Sequence, residues 1–241
     1  MAFYPINLNI SKRLCLVVGG GAVAARKIEA LLFSEARVRV VSPEVCRKIS
    51  EYAGRDQIEW VRREYRDSDL EGVFLLFAAT NQPAVQRQIA LQAQNSGVLM
   101  NSVDSPGQCD FQVPAKIRRG DLLIAVSTGG ASPALSTRIK HRLYLDFGPE
   151  YGILVDLLAK IRSQVVGSSG ESDVNRELFQ QLLEQPLLEM IRDELWEDLQ
   201  TSLKAILPEN VDCASLVSGL QAMTDYRYQQ KPEGRISTHD Q

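Results

Sequence analysis

The sequence reads LCLVVGGGAVA from Leu14 to Ala24, with five apolar residues followed by three glycines and then by small residues. A short run without polar residues is typical of a strand that is buried on both faces of a parallel sheet. Good helix formers then continue to Phe33, and the apolar residues among them recur on one face. The pattern predicts a strand, a tight glycine turn and a helix.

The next segments repeat this alternation of strand and helix. A valine-rich strand from Ala36 to Val41 ends at Ser42-Pro43 and completes a βαβ unit, for which we expect a right-handed crossover. We expect the same sheet to contain strands at residues 58–61, 73–79 and 98–101, with helices at residues 44–52 and 83–95. The expected fold class is therefore α/β, with a Rossmann-like parallel sheet.

The alternation ends after Gly107. Residues 111–113 and 122–126 are strand-like and come before any long helix, so they predict a separate small sheet. Ser132-Pro133 supplies an N-cap and a proline at the first position of a basic helix that ends near Leu145. Helices at residues 151–166 and 173–207 follow, the second interrupted near Pro186, and the polar residues 229–241 predict a flexible tail.

Charge is unevenly distributed along the 241 residues. Residues 1–150 contain 19 Lys and Arg against 15 Asp and Glu, whereas residues 151–241 contain 8 against 15. The basic excess is densest between Gln112 and Arg142, which predicts either a binding surface for an anion or an ordinary solvated face. Nucleic acid is a poor candidate, because the chain is acidic overall and has few aromatic residues near that segment.

Two features of the sequence indicate where the protein works. The longest apolar run, Val73–Ala79, is far shorter than the roughly 20 residues that a membrane-spanning helix needs. The first residues show no basic start followed by an apolar core, so we expect no membrane association and a cytoplasmic location. Four scattered cysteines without a C-x-x-C pair predict reduced thiols.

The glycine turn matches the pattern G-x-G-x-x-A at a junction of strand and helix, the context that favours dinucleotide binding. Backbone N–H groups at the helix N-terminus would then bind the pyrophosphate. The alternative is a glycine turn that binds nothing. The predicted cofactor-binding residues in this turn are Gly19, Gly20, Gly21, Ala22 and Val23.

The acidic residue that usually holds the adenosine ribose, about twenty residues further on, is missing from its place. The second strand ends at Ser42 and Pro43, and Glu44 comes one position late. Ser42 is the candidate for one ribose hydroxyl. Because Arg37 and Arg39 lie within the strand, they are poor candidates for binding a 2′-phosphate, and we predict NAD rather than NADP as the cofactor.

Thr80 and Asn81 follow the predicted strand at residues 73–79. The carboxyl ends of parallel strands line the crevice in which open α/β sheets bind ligands, so both residues are further candidates for cofactor binding. The alternative role for both is to cap the helix that begins at Pro83.

Five blocks stand in order along the chain: YPI from Tyr4, VVGGGAVAARK from Val17, AATN from Ala78, NSVD from Asn101 and STGGASP from Ser127. Together they resemble the precorrin-2 dehydrogenase and sirohydrochlorin ferrochelatase family, which forms the first part of siroheme synthase. The resemblance extends over about residues 4–145. Without it, motif spacing indicates only an α/β protein that binds a nicotinamide cofactor.

The resemblance implies that the protein oxidises precorrin-2 to sirohydrochlorin in siroheme biosynthesis, with NAD as the hydride acceptor. Some members of the family also insert ferrous iron into sirohydrochlorin, and no cluster of metal ligands in this sequence predicts where that would occur. The family's catalytic aspartate corresponds to Asp104, whose carboxylate would act as a general base. The alternative is that Asp104 only forms the turn at Ser105-Pro106-Gly107.

The tetrapyrrole substrate of the family carries eight carboxylates, which gives the basic segment an anionic ligand. The glycine-rich turn before the basic helix could bind one carboxylate through its backbone N–H groups, by the physics that holds a phosphate. The predicted substrate-binding residues are Ser127, Thr128, Gly129, Gly130, Ser132, Lys116 and Arg138.

The family also implies a homodimer and a division of the chain into domains. We expect an NAD-binding domain at residues 1–112, a small α+β segment for dimerisation and the substrate cleft at 113–147, a helical domain at 148–208, and a short helix with a flexible tail at 209–241. Two other functions stay open: an NAD-sensing regulatory module without catalysis, and an NAD enzyme that acts on a different small anion.

Overall fold

The computed structural model describes residues 3–102, 109–166 and 172–229. Contacts within the chain divide it into two compact units. The first contains the residues up to Val113 together with Gly129–Ala131, and the second contains Pro114–Thr128 and the residues from Ser132 onward.

The first unit is a parallel sheet with helices. Its strands are β1 (Leu14–Val18), β2 (Arg37–Val41), β3 (Glu59–Val61), β4 (Leu75–Ala78) and β5 (Leu99–Ser102), in the spatial order β3-β2-β1-β4-β5. Its helices are α1 (Ala22–Phe33), α2 (Arg47–Gly54) and α3 (Pro83–Ser96), with a 3₁₀ turn at Asp67–Leu70. All paired strands are parallel, which confirms the predicted Rossmann-like α/β sheet.

Strand order places β1 at the centre, between β2 and β4. The residues of β1 from Cys15 to Val18 are buried, as their uninterrupted apolar run predicts. One apolar cluster packs Ile28 of α1 and Ile49 of α2 against one set of strand side chains, and a second packs Ile89 of α3 against the other set. The strands before β4 extend the sheet on one side of β1, and β4 and β5 extend it on the other side. Open α/β sheets form their ligand crevice at such a reversal of strand order.

In its described residues, the second unit combines an antiparallel hairpin with six helices. The hairpin strands are β6 (Ala115–Arg119) and β7 (Leu122–Val126). The helices are α4 (Pro133–Asp146), α5 (Glu150–Val166), α6 (Ser172–Glu184), α7 (Leu187–Arg192), α8 (Trp196–Ile206) and α9 (Cys213–Gln229). Helices α5 to α9 share one apolar cluster around Leu157, Leu182 and Leu203, each fully buried.

Contacts of Arg119 and Gly152 join the hairpin to the helices within the second unit. The guanidinium of Arg119 donates to the carbonyls of Phe147 (2.8 Å) and Tyr144 (3.0 Å), which satisfies carbonyls at the end of α4. A Cβ placed on Gly152 in α5 would lie 2.8 Å from the carbonyl carbon of Arg119. Close packing of the hairpin against α5 therefore depends on glycine at this position.

One of the two strands predicted for the small sheet is wrong, and the other, at residues 122–126, is confirmed. Residues 111–113 are not a strand: Phe111 packs edge-on against Phe77 of β4, with ring centroids 5.5 Å apart. The partner of β7 is instead β6, in which exposed Lys116 and Arg118 flank buried Ile117. The alternation of charged and apolar residues in β6 is typical of a half-buried strand. The sequence analysis interpreted the charges of this segment only as a possible anion-binding surface.

Helix boundaries differ from prediction at two places. Helix α2 begins at Arg47 rather than Glu44, because the N–H of Cys46 donates to the carbonyl of Gly20 (2.7 Å) and holds the preceding residues out of the helix. The helix expected at residues 173–207 is interrupted near Pro186, as predicted, and again at Glu194, where φ is +57°. In α9, Leu216 and Leu220 pack into the helical core.

Four cysteines are free thiols, and burial raises the pKa of Cys15 to about 11. Among the described residues, no helix is long and apolar enough to cross a bilayer. The residues beyond Gln229, for which a flexible tail was predicted, lie outside the described part of the chain.

An ion pair joins Arg63, in the loop after β3, to the buried carboxylate of Asp69 in the 3₁₀ turn. Arg63 donates to both carboxylate oxygens of Asp69, at 2.6 and 2.8 Å, and the N–H of Arg66 donates to the same carboxylate at 2.8 Å. Burial by itself raises the pKa of Asp69, but the hydrogen bonds from Arg63 and Arg66 outweigh it and hold the pKa below its usual range.

We expect Asp69→Asn to lower the free energy of unfolding by about 2 kcal/mol at neutral pH, because it removes the charge that Arg63 and Arg66 bind. Since the folded state lowers the pKa of Asp69, its contribution is complete above the unfolded pKa of about 4 and is lost as the pH falls through the lower folded value. Urea unfolding at pH 7, 5 and 3.5 measures the difference between the two proteins. A difference that stays constant over all three pH values would contradict this account.

Candidate functional site

The carboxyl edge of the parallel sheet contains a cavity of about 370 Å³. It is lined by residues at or after the ends of β1, β2, β3 and β4, and all of these residues belong to the first unit. The nine predicted cofactor-binding residues all line it: Gly19, Gly20, Gly21, Ala22, Val23, Ser42, Pro43, Thr80 and Asn81. The other lining residues are Val18, Val41, Glu64, Tyr65, Ala79, Gln82 and Val85.

The first two glycines allow the turn to pack against the neighbouring strand ends. Gly19 has φ +126°, and a Cβ there would collide with the carbonyl of Ala79 after β4. A Cβ on Gly20 would collide with the carbonyl of Glu44 and come within 2.9 Å of the Ser42 hydroxyl. Both positions therefore need glycine for reasons internal to the fold.

Gly21 differs from the other two glycines. It is exposed, its φ is an ordinary −84°, and a Cβ added to it would meet nothing within 4 Å. As the N-cap of α1 it provides no side-chain hydrogen bond, so the first N–H groups of the helix have no side-chain acceptor. Unsatisfied N–H groups and the positive end of the helix dipole beside open space fit a phosphate group, and they fit the pyrophosphate of a dinucleotide.

The loop after β2 is held by contacts within the chain. The Ser42 hydroxyl donates to the carbonyl of Glu44 at 2.6 Å, so its proton is already used, and the hydroxyl oxygen remains as an acceptor. Pro43 lines the cavity, whereas Glu44 is exposed and is not one of the lining residues. Of the residues after β2, therefore, none brings a carboxylate to the cavity wall.

Thr80 lies in the cavity wall and also stabilises the loop that leads into α3. It lines the cavity together with Asn81, and its hydroxyl accepts a hydrogen bond from the N–H of Gln82, the N-cap residue of α3. The side chain of Gln86 in α3 donates to the carbonyl of Thr80 at 2.6 Å. Contacts from α3 thus fix the loop after β4.

The lining residues that the sequence analysis did not predict include Glu64 and Tyr65, which follow β3. Glu64 is exposed and is the acidic residue in the described cavity lining. The hydroxyl of Tyr65 is buried and has no hydrogen-bond partner among the described residues; burial, with Asp67 and Asp69 nearby, raises its pKa to about 12. The signal for both was available, because β3 pairs with β2 and its carboxyl end must lie at the same edge of the sheet.

Asp104, the predicted catalytic residue, lies outside the described residues. Asn101 and Ser102, which precede the segment that contains Asp104, are fixed by hydrogen bonds. Asn101 donates to the carbonyl of Phe111 at 3.0 Å, and the N–H of Ser102 donates to the sulfur of Cys109 at 3.1 Å. The role of Asp104 stays a prediction.

The predicted substrate-binding turn has an ordered framework. The Thr128 hydroxyl bonds to both the carbonyl and the N–H of Ser132, and the Ser132 hydroxyl caps α4 by accepting from the N–H of Leu135. Gly129 and Gly130 have φ values of +62° and +87°, which favour glycine. Thr128 and Ser132 therefore hold the turn itself.

The other predicted substrate ligands are Ser127, Lys116 and Arg138, and all three are exposed. Lys116 lies in β6 and Arg138 in α4. Neither of these two cations has a hydrogen bond or ion pair with another described residue, so both charges are available to an anion. Substrate binding by all these residues stays a prediction.

Two family models match the chain. One is described as NAD(P)-binding and matches residues 6–115, and the other is described as the central part of a sirohaem biosynthesis protein and matches residues 119–143. The first match contains every residue that lines the cavity. The second contains the glycine-rich turn and most of the basic helix α4.

Curated relatives carry the name siroheme synthase. The one from Methylococcus capsulatus is 36% identical over 89% of this chain and 44% of its own length, and the one from Thioalkalivibrio sulfidiphilus is 33% identical over 88% and 43%. The chain thus spans less than half the length of these relatives. The solved structure of SirC, a precorrin-2 dehydrogenase, matches with a TM-score of 0.71 and 30% identity, over 84% of this chain and all of SirC.

Alanine at the two adjacent glycines should separate folding from ligand binding. We expect Gly20→Ala to lower the melting temperature by several degrees, because its Cβ collides with the backbone of Glu44. We expect Gly21→Ala to melt within a degree or two of the wild type but to bind NADH at least tenfold more weakly, since its Cβ enters the space left for the phosphates. Thermal denaturation and a fluorescence titration with NADH measure both effects, and unchanged NADH affinity in Gly21→Ala would count against a pyrophosphate at this turn.

Proposed function

The chain belongs to the precorrin-2 dehydrogenase family that includes SirC, and from this premise we propose that it oxidises precorrin-2 to sirohydrochlorin with NAD. The observation that carries the proposal is the cavity at the sheet edge, into which the uncapped N-terminus of α1 and the open side of Gly21 face. The names of the relatives are those of enzymes, which favours this function over a regulatory module that only senses NAD.

Two features of the cavity favour NAD over NADP. Its described lining includes no Lys or Arg, and its charged lining residue is the acidic Glu64. A 2′-phosphate on the adenosine ribose would need a cation and would meet a carboxylate instead. Arg39 is paired with Glu59 at 2.8 Å, and Arg63 is paired with Asp69, so these cations near the ends of β2 and β3 are already neutralised.

Oxidation of precorrin-2 removes a hydride and a proton from the substrate. Bound NAD supplies the acceptor for the hydride. We assign removal of the proton to the carboxylate of Asp104, which the resemblance to the family identifies. Backbone N–H groups of residues 21–23 would hold the pyrophosphate, and Thr80 and Asn81 would contact the cofactor from the loop after β4.

The second unit provides positive charge for a polycarboxylate. Lys116 and Arg138 are exposed, and neither forms a hydrogen bond or an ion pair with another described residue. These groups would bind acetate and propionate side chains of the tetrapyrrole. The net positive charge of the segment fits a substrate with eight carboxylates.

Insertion of ferrous iron is a second candidate activity. Support for it comes from the name of the curated relatives, siroheme synthase, since siroheme contains iron. Within the described ranges, no group of three or more His, Cys, Asp or Glu residues could hold a metal ion. A chelatase has to release its metal to the substrate, so weak ligands next to the macrocycle would suffice.

A homodimer is the proposed assembly. Leu135 and Ile139 lie four residues apart on α4, and 48% and 36% of their surfaces are exposed. Exposed apolar side chains on one face of a helix favour contact with another protein surface. The resemblance to the family implies that a second copy of the chain supplies that surface.

The central assay supplies precorrin-2 and NAD without oxygen and follows the absorbance of sirohydrochlorin and NADH. We expect both products to appear together. Asp104→Ala should lower kcat by about 100-fold or more, the usual contribution of a general base, and should leave the affinity for NADH unchanged.

The matched control for Asp104 is Asp110→Asn. Asp110 accepts a hydrogen bond from the N–H of Met100 at 2.8 Å, which an asparagine oxygen can also accept, so activity should be retained. If Asp104→Ala kept full activity, another group would have to take the proton. If the wild type formed neither product, the proposed function would be wrong.

The dimer can be tested by light scattering. Ile139→Glu places a charge in the apolar face of α4, and we expect it to convert a dimer of the wild type into a monomer at micromolar concentration. Leu183→Glu, at a position on α6 with 62% exposure, serves as the control and should stay dimeric. A monomeric wild type would contradict the proposed assembly.

A further inference from the structure

The sequence leaves the ribose of the proposed cofactor without an acidic partner, because the loop after β2 ends without a carboxylate in the cavity wall. We propose that Glu64, which follows the neighbouring strand β3, takes this role: its carboxylate accepts hydrogen bonds from the adenosine ribose and excludes a 2′-phosphate. The inference rests on the proposed binding of NAD at this cavity and adds a residue that determines cofactor specificity.

The pairing of β2 with β3 brings Glu64 to the required place. Val41 and Val61 are register partners at the ends of these strands. Beyond them, the N–H of Ser42 donates to the carbonyl of Val61 at 3.3 Å, and the indole N–H of Trp60 donates to the carbonyl of Ser42 at 3.0 Å. The chain after β3 therefore lies beside the loop that usually carries the ribose ligand.

The segment that carries Glu64 is held on both sides. The N–H of Arg63 donates to the carbonyl of Val61 at 2.9 Å and turns the chain immediately after β3. The guanidinium of Arg63 donates to the carbonyl of Glu64 at 2.9 Å while it binds both oxygens of Asp69. Because Asp69 also accepts from the N–H of Arg66, the backbone on either side of Glu64 is fixed, and Glu64 lies at the cavity wall.

The surrounding charges leave this carboxylate able to act on a ligand. Glu64 forms no ion pair among the described residues, and the nearby guanidinium of Arg62 lies over the ring of Trp60 at 5.5 Å. Ribose hydroxyls are donors that a carboxylate accepts well, whereas a phosphate in the same position is repelled. The same group would therefore strengthen NAD binding and weaken NADP binding.

The test is equilibrium binding of NADH and NADPH, followed by their fluorescence, to the full chain and to three variants. We expect Glu64→Gln to weaken NADH binding and to reduce the preference for NADH over NADPH about tenfold, the effect of losing one charge-assisted hydrogen bond. Glu64→Lys should reduce the preference further. Because Glu64 is exposed, both variants should melt at the temperature of the wild type.

The matched control is Glu44→Gln, which removes the acidic residue nearest to the usual position but outside the cavity lining. We expect it to bind both nucleotides as the wild type does. An unchanged preference in Glu64→Gln, or an equal change in Glu44→Gln, would overturn the role of Glu64 and leave the proposed function intact. A wild type that binds neither nucleotide would overturn both.

Discussion

The packing of the glycine turn against the adjacent strand ends is the contact on which the rest of the site depends. Gly19 and Gly20 have no side chain to separate the turn from the backbone of Ala79 after β4 and of Glu44 after β2. Because of this close approach, α1 begins directly at the carboxyl edge of the sheet, with no side-chain cap on its first N–H groups and with open space beside Gly21. The fold thus creates local positive potential without using a charged side chain.

The two units differ in the groups that are available to bind negative charge. The cavity of the first unit has backbone N–H groups and one carboxylate in its described lining, a combination that suits a pyrophosphate and a ribose but disfavours an additional phosphate. The second unit has exposed cations in β6 and α4, such as Lys116 and Arg138, which suit several separate carboxylates. A dinucleotide and a polycarboxylate tetrapyrrole would therefore be selected by different physical means.

Local sequence patterns predicted the central elements well because local and tertiary preferences agree there. The apolar run before Gly19 forms the central buried strand, and a helix follows the glycine turn and ends at Phe33, as predicted. Prediction failed where a long-range contact decides the structure. Phe111 packs in the core beside Phe77 and is not part of a strand. The N–H of Cys46 donates to the carbonyl of Gly20, so α2 begins after Cys46 and not at Glu44. Glu64 was not predicted either. No local motif marks it, and its place at the cavity follows from the pairing of β3 with β2.

The most direct test of the central claim is a crystal structure of the chain with NAD. The account predicts density for the pyrophosphate within hydrogen-bond distance of the N–H groups of residues 21–23, and for the adenosine ribose beside the loops after β2 and β3. Absence of the dinucleotide from the cavity at saturating concentration, or its binding elsewhere on the protein, would contradict it.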